Sequence, residues 1–500
     1  MRSVTRTICL IAAICSCHPA PKSVAASTSA ADTVPSTGKI PISAHSRAAI
    51  ELYQRARALN ENLQPHEAYA LFEKAVALDS SFAMGEYGLA ATAPTAKQVR
   101  EHLTKAVALS RNVSNGERLL ILAMQARVDA DPISVRQYAE SLVTHYPRDE
   151  RAHWVLGSAW SAQQSYEKAI EQYQRAIDIN PQYSLAYNAI GYAYRPTGNT
   201  AAAEKAFRQY IALVPNDPNP YDSYAELLMK VGRFDESIAQ YRKALSIDPH
   251  FSGSLVGIAA NHMFAGRHQA AIAESERYLS VARDDHERRA ALLTEALIDV
   301  DNGATDDALR AMDKEYELAR AIGDTLSMSS DAMAVGDILL DAGRIDAASE
   351  RYRQAHELVV ASSLTANLKQ DCELITRYNA ARVALAKHDL PTARSEAIAF
   401  THGAEARRNG DRIRQAHELN GLIYLNDKEF DRSLAELALA DQQNAAVLYQ
   451  MAAAYHGQGN HAKGDELMAS AIHMYTLPTF PYMFVRAKAK ALAGQRTSSK

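Results

Sequence analysis

Residues 150–183 read ERAHWVLGSAWSAQQSYEKAIEQYQRAIDINPQY, residues 184–217 read SLAYNAIGYAYRPTGNTAAAEKAFRQYIALVPND, and residues 218–251 read PNPYDSYAELLMKVGRFDESIAQYRKALSIDPHF. These windows of 34 residues align without a gap. Position 8 carries Gly157, Gly191 and Ala225, and position 11 carries Trp160, Tyr194 and Leu228. Position 20 is Ala169, Ala203 and Ser237; position 24 is Tyr173, Phe207 and Tyr241; position 32 is Pro181, Pro215 and Pro249. Small and large residues alternate as two packed antiparallel helices require: small side chains allow close approach and aromatics fill the space between. Each proline ends the second helix, and Gly198 and Gly232 end the first.

A fixed period of this kind is the mark of a stacked repeat. The pattern resembles the tetratricopeptide repeat family, whose repeats are small at positions 8, 20 and 27, aromatic at 11 and 24, and proline at 32. Position 27 has Ala176 and Ala244 but Tyr210 in the middle copy, a departure that implies re-aimed packing there. The resemblance implies an all-α fold, a superhelical solenoid of antiparallel helix pairs, whose concave groove binds protein or peptide partners.

Outward from this block the register weakens but continues. Ala68, Phe72 and Ala75 fall at positions 20, 24 and 27 of an earlier copy, and Ala259 and Ala271 hold it in a fourth regular one. From about residue 284 the period lengthens: Ala296, Gly336, Ala381 and Gly421 are spaced by 40, 45 and 40 residues. The copy around Gly336 is clear, with Leu339, Ala348, Tyr352 and Ala355 at positions 11, 20, 24 and 27. The spacing therefore predicts two sub-arrays, 45–283 with its regular block at 150–283, and 284–475 with a longer period. Residues 476–500 are read as a cap and tail, because a solenoid must cover its open end.

The amino terminus reads as a targeting signal. Arg2 and Arg6 precede the short apolar run at residues 8–14, which is too short to span a bilayer. Ile14-Cys15-Ser16-Cys17 resembles a bacterial lipobox, which implies a lipid on Cys17, a signal peptide over 1–17 and a place in the cell envelope or periplasm; Cys15 at its middle position is atypical. Cleavage after Ala26 and soluble export is the alternative reading. Residues 18–44, rich in Ala, Ser, Thr and Pro, read as a flexible linker between anchor and folded body. The chain has 4 cysteines, of which only Cys372 lies beyond this region. The folded part must then be held by packing, without disulfides.

A formal net charge of −4 with 22% charged residues of mixed sign argues against nucleic acid, which needs a basic stripe. No phosphate loop, nucleophile elbow, His-Glu-x-x-His or Cys-x-x-Cys motif occurs, so no enzyme, metal or cofactor is expected. His262 with His268, and His456 with His461, are spaced to lie on different faces or across a turn. Asp284-Asp285 and Asp306-Asp307 fit helix starts, where carboxylates satisfy open amides. Acidic neighbours Asp371 and Glu373 should raise the Cys372 thiol pKa, which disfavours a nucleophile.

In the family that the repeats resemble, positions 2, 5, 9 and 12 of the first helix face the groove. In the regular block these include Arg151 and Trp154, then Asn188, Tyr192 and Arg195, then Asp222 and Glu226. Trp, Tyr and Arg dominate interface anchors, so these seven residues form the candidate partner-binding groove. The structural alternative is that Trp154 and Tyr192 pack on neighbouring first helices. The function so read is a non-catalytic interaction scaffold. The alternative is a ligand-responsive sensor in which the solenoid changes curvature.

Overall fold

The computed structural model describes residues 38–498 except 62–63, 94–95, 130 and 363–365. Among the described residues there are 25 α-helices and no strand. They form an all-α solenoid that divides into two compact units, the first ending at Ser223 and the second beginning at Tyr224.

The first unit holds α1 (Arg47–Glu61), α2 (Pro65–Leu78), α3 (Ala83–Thr92), α4 (Ala96–Leu109), α5 (Asn115–Val128), α6 (Pro132–His145), α7 (Glu150–Ala162), α8 (Tyr166–Ile179), α9 (Ser184–Tyr194) and α10 (Thr200–Leu213). Helix α11 (Pro218–Lys230) carries the boundary between the units. Odd-numbered helices are the first of each repeat and even-numbered ones the second. In α7 and α9, where position 8 is glycine, the position-24 ring lies directly on it. A Cβ added at Gly157 would come within 2.6 Å of Tyr173, and one at Gly191 within 2.7 Å of Phe207. Both rings are fully buried, so the missing side chain is what lets the paired helices close. Gly198 turns the chain with φ of +76°, a left-handed conformation that glycine adopts without a steric penalty. Tyr210 is fully buried, and its hydroxyl accepts a 2.7 Å hydrogen bond from Asn219 Nδ2, which is the re-aimed packing expected at that departure from the pattern.

Residues 38–44, grouped with the flexible linker by their composition, are packed against the first unit. Ile40 is 3% exposed. Its N–H donates to Asp149 (2.7 Å), the Ser43 N–H to Glu117 (2.6 Å), and the His45 N–H to Asp79 (2.6 Å). Lys39 pairs with Glu150 beside them. One carboxylate from each of three successive repeats thus catches an extended strap. Composition could not show this, because the partners lie 34, 74 and 109 residues away.

The second unit continues through α12 (Phe234–Ile247), α13 (Ser252–Phe264), α14 (His268–Val281), α15 (Asp285–Asp301), α16 (Thr305–Ala321), α17 (Thr325–Asp341), α18 (Ile345–Ala361), α19 (Ala366–Ala386), α20 (Leu390–Ala406), α21 (Gly410–Asn426), α22 (Phe430–Leu437), α23 (Ala445–Gly457), α24 (His461–Ile472) and α25 (Phe480–Ser498). The longer period has a simple origin. Helices α12 and α14 have 14 residues, whereas α15 to α18 have 17 each and α19 has 21. The lengthening begins at Asp285, while the compact units part at 223/224. The glycine-under-ring contact recurs, with a Cβ at Gly336 placed 2.5 Å from Tyr352. Where position 20 is serine, its hydroxyl donates to the position-8 carbonyl: Ser237 to Ala225 (2.7 Å) and Ser433 to Gly421 (2.8 Å). Asp284 caps α15 through the Glu287 N–H, and Asp306-Asp307 stand in the first turn of α16.

Helix α25 caps the array and also returns to its own unit's earlier helices, packing on α15 and α17 as well as α23 and α24. Arg486 Nε donates to Asp301 at 2.8 Å across 185 residues of sequence, and both side chains are buried. Lys490 and His268 meet the same carboxylate, while the Arg486 guanidinium lies 4.8 Å above the Phe264 ring. Tyr482 donates to the Ile472 carbonyl at 2.8 Å and accepts from the Tyr475 N–H. This seals the unit with a polar contact inside an apolar shell of Phe264, Tyr482 and Val485.

Candidate partner-binding groove

In the first unit the candidate residues fall into two groups. Asn188 (2% exposed), Arg195 (8%) and Asp222 (4%) are buried, whereas Arg151, Trp154 and Tyr192 are half-buried. Arg151 is held by Asp149 through Nε (3.0 Å) and Nη2 (2.6 Å), and by the Ile40 carbonyl at 2.7 Å. That bidentate contact keeps the Asp149 carboxyl below its ordinary range despite burial. Trp154 packs against Ala176 and Tyr183 of its own repeat and against Ala186 of the next first helix, α9. Tyr192 lies edge-on to Phe207 at 5.3 Å, with the Arg195 guanidinium 5.0 Å from its ring and its hydroxyl 3.4 Å from Ser223 Oγ. Tyr192 and Arg195 are thus brought together, and Arg151 belongs to the strap's anchorage. Glu226, in the second unit, is buried at 4%.

The second unit carries an open cavity of about 290 Å³. Counting position 8 at Gly336, Ala381 and Gly421 places Ser330, Met333 and Asp337 at positions 2, 5 and 9 of α17. The same count places Ile375, Tyr378 and Arg382 at those positions of α19, and Gln415 at position 2 of α21. All seven line the cavity, together with Ala334, Asn379, Phe400 and Arg412. The cavity is therefore the groove face of three successive first helices. The seven residues considered from the sequence all lie in the regular block. The same register carried into the longer repeats finds these, once the 40- and 45-residue steps are respected.

Two arginines set the electrostatics. Arg382 Nη1 donates to Asp337 (2.6 Å) and to Asn379 Oδ1 (3.3 Å), and its guanidinium lies 5.6 Å from the Tyr378 ring. Arg412 donates from Nη1 to Gln415 Oε1 (2.7 Å) and from Nη2 to the buried Asp371 (2.8 Å). Asp337 also accepts from the Tyr352 hydroxyl at 2.7 Å. Tyr378 packs on Phe400 with ring centroids 5.4 Å apart, giving the cavity an aromatic wall. Nearby, burial pushes the Glu418 carboxyl up to about 7, against the lowering influence of Arg382.

Elsewhere the titratable groups have structural surroundings. Burial, with Asp371 and Glu373 beside it, pushes the Cys372 thiol up to about 11, as its neighbours suggested. His456 and His461 meet across a turn with their Nδ1 atoms 3.1 Å apart, and Asp465 stands 3.3 Å from His456 Nε2. Among the described residues no group of three or more His, Cys, Asp and Glu side chains is arranged to hold a metal ion. No described helix is long and apolar enough to cross a membrane. Cys17 and the whole signal-like segment lie outside the described residues.

Comparison with known proteins agrees with this geometry. Family models described as "TPR repeat" and "Tetratricopeptide repeat" match residues 157–198 and residues 185–217 and 219–251. The general transcriptional corepressor trfA of Dictyostelium discoideum is 26% identical over 23% of this chain. The small glutamine-rich tetratricopeptide repeat-containing protein 2 of Mycosarcoma maydis is 26% identical over 21%, and anaphase-promoting complex subunit 3 of Schizosaccharomyces pombe is 24% identical over 23%. The chain spans 8%, 30% and 17% of the length of these relatives respectively. Among solved structures, MamA is similar with 20% identity and a TM-score of 0.28, over 32% of this chain and 93% of that one. Repeat register, helix pairing and family models coincide over residues 157–251: the chain is an all-α solenoid that carries tetratricopeptide repeats.

Proposed function

We propose that the chain is a non-catalytic scaffold that binds protein or peptide partners on the groove faces of its repeats, and that a lipid on Cys17 holds it in the cell envelope. The carrying observation is the cavity on α17, α19 and α21, where positions 2, 5 and 9 converge on open space. A protein whose repeats served only to stack would fill that face. Tetratricopeptide proteins generally mediate protein–protein interaction, which supports the same reading. In the first unit, the half-buried Trp154 and Tyr192 extend the proposed binding face, whereas Arg195 and Asp222 are buried; the anchor rests on the lipobox-like Ile14–Cys17 stretch alone.

The test is cross-linking followed by affinity capture of the full chain, with a Trp154/Tyr192 double alanine and a Tyr378→Ala variant alongside. A discrete set of partners, lost in one variant and kept in the other, supports the scaffold and assigns the unit that binds. An unchanged set in both removes the groove assignment. Metabolic lipid labelling that persists in Cys17→Ala removes the proposed anchor.

A further inference from the structure

We propose that Glu315, Asp331 and Arg289 form a proton-operated joint between α16 and α17: the two carboxylates share one proton in the folded state, and its loss loosens the contact between these helices. The joint needs no partner to operate, and none of its three side chains lines the cavity.

The repeat pattern marks the place. Position 27 is the small slot where paired helices close, filled by Ala176, Ala244 and Ala355. Counted from Ala296 at position 8, the repeat of α15 and α16 puts Glu315 there instead. Its side chain is 6% exposed, and Oε2 is sealed from solvent with no hydrogen-bond partner among the described residues. Arg289 faces it from α15: Nη2 lies 3.2 Å from Glu315 Oε1, and Nη1 donates to the Glu315 carbonyl at 2.8 Å. The same guanidinium holds Asp331 of α17 in a fork, Nη1 to Oδ2 at 2.7 Å and Nη2 to Oδ1 at 2.9 Å. Arg289 and Asp331 are themselves buried, at 12% and 5% exposed.

One guanidinium cannot offset two buried carboxylates. The fork satisfies Asp331, so the excess negative charge falls on Glu315, and a buried carboxyl escapes an uncompensated charge by taking a proton. Burial, with Asp331 beside it, accordingly holds Glu315 above the ordinary glutamate range against the lowering influence of Arg289. Burial raises Asp331 as well, with Asp324 at the start of α17 adding to it and Arg289 opposing. The neighbouring elements supply no second cation among the described residues. From α18, Arg351 reaches Asp313 and Gln354 reaches the Tyr316 hydroxyl; from α25, Lys488 pairs with Asp341. Proton loss therefore leaves one net negative charge among α15, α16 and α17, and the helices must part to hydrate it. Because the folded state binds this proton more tightly, the joint is complete below the ordinary glutamate range and is lost as pH rises through the folded value. Ser330, Met333 and Asp337, on the same helix as Asp331, line the cavity, so opening the joint frees that wall.

The test is hydrogen exchange of the α16 and α17 amides in the full chain from about pH 5 to about pH 9, corrected for intrinsic base catalysis, with infrared difference spectra over the same range. Wild type should open locally by up to about tenfold more per pH unit, the linkage of one proton, while a protonated-carboxyl band disappears. Glu315→Gln keeps the shape of the side chain and removes its titration. Glu315→Ala restores the residue that the slot holds in the repeats of Ala176, Ala244 and Ala355, and gives a second variant that relieves the charge. Both should lose the pH-dependent opening of α16 and α17 and that part of the band. Asp299 and Glu418, also raised by burial, are present in every variant and cancel in the difference from wild type. Wild-type opening that is flat with pH, or a slope or band that survives in either variant, overturns the proposal. So does opening that follows sodium or potassium concentration at fixed pH and ionic strength, which would put a metal cation where the proton is placed.

Discussion

Gly191 offers the sharpest test of how the helix pairs close. An alanine there would place Cβ 2.7 Å from Phe207 Cε1 and 2.8 Å from Cζ, and the ring is fully buried with no free volume to enter. Two effects oppose each other. Glycine to alanine within a helix gains about 1 kcal/mol from backbone propensity. Forcing a methyl into a packed core costs about 1–3 kcal/mol. The net expectation for Gly191→Ala is a loss of about 0–2 kcal/mol, and Phe207→Leu alone should cost about 1 kcal/mol or more through lost packing. The double variant makes room for the added methyl, so the pair should be less destabilised than the sum by about 1 kcal/mol. A repeat array opens locally rather than all at once, so the assay is native-state hydrogen exchange of the α9 and α10 amides, not a single melting curve. A stabilisation of Gly191→Ala by the full propensity gain, with strict additivity in the double variant, would refute the glycine-under-ring account.

Three further outcomes follow from the buried charges. Asp149→Ala removes the acceptor for Ile40 and Arg151 and should cost about 3–5 kcal/mol locally, as breaking a buried pair does, with faster exchange across residues 38–45; unchanged exchange there would show that the strap is held otherwise. The same carboxyl has its pKa lowered in the folded state, so its contribution is complete above the ordinary aspartate range and is lost as pH falls through the lower folded value. Asp301→Ala leaves Arg486 buried without its carboxylate and should loosen α25 by about 3–5 kcal/mol, whereas Asp301→Leu with Arg486→Met should be near neutral; equal damage from both would contradict the ion-pair account. Glu418 has the opposite sign. Burial and Asp441 raise it to about 7, while Arg382 of α19 and Gln450 of α23 pull it down, and Asn444 contacts it at 3.4 Å. The folded state therefore binds its proton more tightly, and stability falls as pH rises from about 4.5 to 7, by an amount on the order of 2–3 kcal/mol. Glu418→Gln should flatten that part of the pH–stability curve.

The parts of the fold legible in the sequence are those written in local period. Gly157, Gly191 and Gly336 mark where first helices approach their partners, and Pro181, Pro215 and Pro249 mark where second helices have ended. The contacts that cross many repeats leave no such trace. Asp301 and Arg486 are ordinary charged residues until folding places them together, and Asp79, Glu117 and Asp149 look like helix-start carboxylates before the strap is seen. The groove was half legible. Register assigns a face, but burial depends on how neighbouring repeats close over it, which is why Asn188, Arg195 and Asp222 are covered. In the longer repeats, where helices of 17 and 21 residues hold Tyr378, Arg382 and Arg412, that face stays open.

The most direct measurement of the central claim is a scan with a photo-cross-linking amino acid placed in the full chain, one site at a time. Tyr192 and Tyr378 sample the groove faces of the two units, and exposed Glu171 and Glu350 on the second helices sample the back. The account predicts a discrete protein or peptide adduct from at least one groove site and none from the back. Adducts formed equally from both faces, or only from the back, would contradict it.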